Sequence, residues 1–184
     1  MSTTGKQIVS TLADGKLTVE VSQTEIAEPT GNQVMVKMEA APINPSDLAI
    51  ITGMSDLYNA EYSPGTYVAD MPEPFNSGQK ARHGQRLPAC NEGAGTVVAA
   101  GENEFAHSLV GQRVACVPGN AYAEYCLADA GMCLPLGDIS AVDGASAFVN
   151  PMTALGFVET ARMEGEGAII HTAAASNLGQ MLVR

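Results

Sequence analysis

The feature that most limits what this chain can fold into is a change of pattern near residue 138. Before it, short apolar stretches are cut repeatedly by glycine and proline. After it, the apolar spacing turns helical and is interrupted by one continuous apolar run. Such a chain reads as a mainly β barrel-like domain over residues 1–138, then the beginning of an α/β domain over residues 139–184. In the first part, residues 7–12 and 17–21 flank Asp14-Gly15, a pair that tolerates the positive φ of a tight hairpin. Further strands are predicted over residues 34–38, 95–100, 113–118 and 122–128. Asn44, Pro45 and Asp47 supply an N-cap, a first-turn proline and a first-turn carboxylate for one short helix, which Gly53 can end. In the second part, Ser140 with Asp143 resembles a capping box and Asn150-Pro151 opens a helix. Residues 168–172 are predicted as a buried strand and residues 178–184 as the opening of another helix. Arg184 is therefore read as lying early in a domain that is cut short.

Twenty acidic residues face nine basic ones, for a formal charge of −11. A surface this negative repels phosphate backbones and anionic lipid, so neither nucleic acid nor membrane is an expected partner. No apolar run approaches the roughly 20 residues of a spanning helix. The opening residues, Met1 to Lys6, lack the apolar segment of a secretory signal. Cys90, Cys116, Cys126 and Cys133 form no C-x-x-C pair, and a reduced, cytoplasmic protein is expected. Residues 55–86 are the least patterned stretch, rich in proline and glycine, and read as an irregular insertion carrying Tyr58, Tyr62 and Tyr67.

Residues 168–179 read as strand, small-residue turn and helix, the arrangement that holds a dinucleotide pyrophosphate. The usual G-x-G-x-x-G is missing, and Gly179 is the one glycine in the turn. Five further motifs occur in order: Ile43-Asn-Pro-Ser-Asp-Leu48, Asn91-Glu-Gly-Ala-Gly-Thr-Val97, Gly111-Gln-Arg-Val114, Ala121-Tyr-Ala-Glu-Tyr125 and Asn150-Pro-Met-Thr-Ala154. Together they resemble the medium-chain dehydrogenase/reductase superfamily, in its zinc-free quinone oxidoreductase and 2-enoyl thioester reductase branch.

That resemblance implies a GroES-like β domain followed by the start of a Rossmann domain. It implies hydride transfer from NADPH, with NADH left open, to a quinone or an activated C=C of a small-molecule substrate. It places Asn44 and Thr153 at the nicotinamide end of the cofactor, and Ser176, Asn177, Leu178 and Gly179 at the pyrophosphate turn. Asn177 stands at a common glycine position, where asparagine tolerates left-handed backbone angles. Enoyl reductases carry a tyrosine after the asparagine loop, for which Tyr58 is the first of the three candidates. Zinc members use a cysteine and a histidine where this chain has Asn44 and Asn91, and carboxamides are poor zinc ligands, so no zinc is expected. His83 and His107 stand outside any ligand pattern. The full-length protein is expected to be a homodimer. A non-catalytic GroES-like module and a zinc alcohol dehydrogenase relative are the alternative readings.

Overall fold

The computed structural model describes residues 2–183. β1 (Thr3–Ala13) and β2 (Lys16–Ile26) pair along their whole length, and the chain reverses through Asp14 and Gly15, with φ of 51° and 73°. The predicted hairpin is thus present, with strands longer than the alternation shows. β3 (Gln33–Ala40) leads to α1 (Pro45–Ile51), which Gly53 follows at a φ of 63°.

Residues 55–86 are not the irregular insertion expected. β4 (Glu61–Ser63) and β5 (Thr66–Asp70) extend the first hairpin through pairing of β5 with β2, and β6 (Arg86–Pro88) pairs with β1 on the other side. Between them lies the short helix α2 (Phe75–Gly78). Arg82 ties the segment down, its guanidinium donating to Ser10 Oγ at 2.7 Å and to the Ile50 carbonyl at 3.2 Å. These strands exist because the edge of a distant hairpin offers unpaired N–H and C=O groups. The local sequence carries no record of that edge.

β7 (Gly93–Ala100), α3 (Glu104–Ser108), β8 (Arg113–Cys116), β9 (Tyr125–Asp129) and β10 (Cys133–Pro135) complete the β-rich part. Two antiparallel sheets result, with strand orders β4-β5-β2-β1-β6 and β10-β8-β7-β3-β9. Residues 122–124, expected as strand, instead bridge the sheets. Ile8 N donates to Tyr122 O at 2.8 Å, Glu124 N to Lys6 O at 2.9 Å, and Met38 N to Glu124 O at 2.9 Å. α3 has no counterpart among the elements predicted from sequence. Asn103 caps it, Oδ1 accepting from Phe105 N at 2.8 Å and from Ala106 N at 3.3 Å.

Val34, Val36, Val97 and Val114 pack with Ala106 and Leu109 to form the core of the second sheet. Leu12, Leu17, Val19 and Met71 form that of the first. Each such side chain contributes roughly 1.5–3 kcal/mol on burial. β3 and β7 approach so closely that a Cβ on Gly95 would collide with the Lys37 carbonyl. Gly95→Ala should therefore destabilise the protein by about 1–3 kcal/mol. A urea midpoint equal to that of the unmodified chain would show that the strands can separate at no cost.

The remaining residues form α4 (Ala141–Gly144), α5 (Val149–Met163) and α6 (Asn177–Val183). Ser140 caps α4 as expected, its Oγ accepting from Asp143 N at 3.1 Å. α5 begins at Val149, ahead of the predicted Asn150-Pro151 start. Residues 168–172 are not a buried strand. They are irregular, with Ile170 96% exposed. A parallel strand needs neighbours on both sides and helices over its faces, and no described strand pairs with this segment. No described helix is long and apolar enough to cross a membrane.

Candidate functional site

The site is organised by a buried carboxylate. Glu92 precedes β7 and is 1% exposed. Its Oε1 accepts from Asn44 Nδ2 at 3.1 Å, while Oε2 accepts from Phe148 N at 3.0 Å and from Val149 N at 2.9 Å. The first turn of a helix leaves its N–H groups without intrahelical partners, and its dipole favours negative charge there. α5 has no side-chain cap of its own. Glu92 fills that role from another part of the chain and holds Asn44 with its second oxygen.

Asn44 is itself the N-cap residue of α1, and its backbone N–H donates to Asp47 Oδ2 at 2.9 Å. The other Asp47 oxygen is buried without a partner. Behind this pair lies Cys90, with a φ of 76°, whose thiol donates to Glu92 O at 3.1 Å. Burial, with the nearby Asp47 carboxylate, pushes the Cys90 thiol up to about 12. Tyr122 donates to Pro42 O at 2.9 Å. Its hydroxyl is raised above the usual tyrosine value by burial first, then by Cys90 and Asp47. The region is a packed polar cluster of neutral donors around two carboxylates.

Thr153 lies in the first turns of α5 and is exposed, with Oγ1 donating to Val149 O at 2.6 Å. Its oxygen lone pairs remain free to accept. Ser176 stands just before α6, where Oγ accepts from Gly179 N at 3.1 Å and donates to Ala173 O at 2.7 Å. A Cβ on Gly179 would lie 2.5 Å from the carbonyl oxygens of Ala173 and Ala174, so the turn closes only over glycine. Asn177 is the first residue of α6, so the left-handed tolerance expected of it is not used. Leu178 is half-buried on the same turn.

The three tyrosines separate clearly. Tyr58 is 95% exposed, and its backbone N–H donates to Asp56 Oδ1 at 3.1 Å. Tyr62 donates its hydroxyl to Leu57 O at 2.9 Å. The Tyr67 hydroxyl is buried without a partner, and burial pushes it up to about 12. Among the described residues, no group of three or more His, Cys, Asp or Glu side chains is placed to hold a metal. Asn44 spends one donor on Glu92, and Asn91 Nδ2 reaches Ser46 Oγ at 3.4 Å.

Glu92 and Tyr122 lie within two of the sequence motifs, which by themselves assign neither a role. For Glu92 a signal was present: one acidic residue opens a run of small and apolar residues, Gly93 to Ala100, where an exposed charge has little place.

A barrel-like pair of antiparallel sheets, followed by helices that begin an α/β unit, defines the class. The chain belongs to the alcohol dehydrogenase GroES-like domain family, which it matches over residues 30–147. That match agrees with the resemblance to the medium-chain dehydrogenase/reductase superfamily. Among curated proteins it is similar to the bovine mitochondrial enoyl-[acyl-carrier-protein] reductase, at 30% identity over 171 residues, covering 90% of this chain and 39% of the relative. Among solved structures it is similar to a Mesorhizobium loti protein described as a candidate NADPH:quinone reductase. Identity is 30%, TM-score 0.68, and coverage 98% of this chain and 50% of that one. A mycobacterial protein solved with NADPH shares the fold at 21% identity and TM-score 0.61, over 97% of this chain and 48% of that chain. The chain thus spans half the length, or less, of these relatives.

Proposed function

We propose that this chain is part of an NAD(P)H-dependent reductase that delivers hydride to a quinone or to the activated C=C of an enoyl substrate, without zinc. The observation that carries the reading is the Glu92 carboxylate, which holds Asn44 and the first turn of α5 together. Asn44 and Thr153, the two residues proposed for the nicotinamide end, are thereby set from one anchor. Ser176, Asn177, Leu178 and Gly179 would hold the pyrophosphate, in the turn that closes over Gly179 ahead of α6. The reduced nicotinamide supplies the hydride when bound.

The protein's own part is orientation and charge. Asn44 keeps a second amide hydrogen beyond the one given to Glu92, and can offer it to a carboxamide or a developing enolate oxygen. Tyr58, with an exposed hydroxyl, is the proposed proton donor. Tyr62 is engaged with Leu57 O and Tyr67 is buried, which leaves them less suited to the role. Four free cysteines fit a reducing compartment, and a cytoplasmic homodimer acting on a small molecule is proposed.

The proposal excludes stoichiometric zinc, because carboxamides occupy the two positions where thiolate and imidazole would be needed. Elemental analysis of metal-replete protein should find far less than one zinc per chain. One zinc per chain, retained through dialysis, would overturn this part of the reading. For the activity itself, NADPH oxidation should require an added quinone or enoyl thioester, and a saturated thioester should give none.

A further inference from the structure

Cys116 and Cys133 face one another across the second sheet. β8 and β10 run antiparallel, and the register sets Cys133 directly opposite Cys116. Directly opposed residues point to the same face, with Cβ atoms about 4.5–5.5 Å apart. A disulfide closes at about 3.5–4.5 Å between Cβ atoms, so a small inward shift of one strand suffices. β10 can make that shift. It is three residues long, lies at the edge of its sheet, and opens with Cys133 between two exposed residues, Met132 just before the strand and Leu134 within it. Short edge segments open locally at low free energy, which also gives a small reagent access to Cys133.

We propose that Cys116 and Cys133 are a peroxide-oxidisable pair that closes into a disulfide across the edge of the second sheet. The Cys133 sulfur attacks a hydroperoxide oxygen, the S–O bond forms, the O–O bond breaks, and the departing hydroxide takes the Cys133 proton to become water. The Cys116 sulfur then attacks the resulting sulfenic acid. The S–S bond forms, the S–O bond breaks, and a second water carries away the Cys116 proton. Two thiols are oxidised and one peroxide is reduced. A hydrogen bond with Cys116 lowers the Cys133 thiol below its ordinary value and raises that of Cys116, which sets Cys133 as the first nucleophile. The other cysteines lie opposite no cysteine: Cys126 faces Val36 across its sheet, Cys90 stands outside any strand, and burial pushes both up to about 12. Closure would tie β10, the last strand before α4 and α5, to β8.

The test is to treat the folded chain with hydrogen peroxide, denature it in a maleimide, and read the intact mass and the peptide map. The expected product has lost two hydrogens, carries a Cys116–Cys133 linkage and has maleimide on Cys90 and Cys126 alone. Dithiothreitol should restore four reactive thiols. Cys126→Ala should form the same linkage, and Cys133→Ala, checked for fold by circular dichroism, should form none. The unsubstituted chain decides the matter even if a variant misfolds. Maleimide on all four cysteines after peroxide, a linkage between chains, or a linkage of Cys116 to Cys126 would each overturn the proposal.

Discussion

Glu92→Ala should lower stability by about 3–5 kcal/mol, the range seen when one partner of a buried charged hydrogen-bond group is removed. The loss is large because three donors share the carboxylate: Asn44 Nδ2 and the backbone N–H groups of Phe148 and Val149. None of them gains a replacement when the side chain is cut back to a methyl. For a chain of this size the melting temperature should fall by roughly 6–20 °C. Glu92→Gln should lie between, because a carboxamide offers one oxygen where the carboxylate offers two. If that oxygen caps α5, the amide nitrogen faces Asn44 Nδ2, donor against donor, and Asn44 must turn over. A melting temperature unchanged in Glu92→Ala would show that water serves these donors equally well and that Glu92 does not hold the site together.

Tyr58→Phe, in a longer protein that carries this chain, should lower kcat/KM for an enoyl substrate by roughly 10–1000-fold. Stability should not change, since the side chain is almost wholly in solvent. That combination separates a proton donor from a packing residue. A quinone, which can take its proton from water after hydride transfer, should be less affected than an enoyl thioester. An unchanged kcat/KM with both substrates would remove Tyr58 from the mechanism and turn attention to Tyr62.

Local signals were legible where the physics is local. The Asp14-Gly15 turn, the proline-led start of α1 after Asn44 and the Ser140 cap each depend on residues within a few positions of one another, and each is present. Features set by distant partners were not legible. β5 is a strand because β2 has a free edge, and α5 starts at Val149 because Glu92 reaches its first N–H groups. Residues 168–172 failed in the opposite direction. Their apolar run is that of a strand buried on both faces, and no described strand supplies a neighbour. The site shows the same division. Asn44, Thr153 and the small-residue turn are proposed from motifs, whereas the carboxylate that holds Asn44 and the start of α5 is visible in sequence only as a charge where none is expected.

The central claim is that this chain is part of a nicotinamide-binding reductase, and binding of NADPH tests it most directly. Calorimetric titration should compare the 184-residue chain with a longer protein that carries it together with the half found in its relatives. The account predicts micromolar binding by the longer protein. It predicts weak binding or none by the chain alone, because among the described residues no strand lies beside the turn before α6, and each 1.4 kcal/mol of lost contact costs about tenfold in affinity. Failure of the longer protein to bind either NADPH or NADH would contradict the account and favour a GroES-like module without catalytic function.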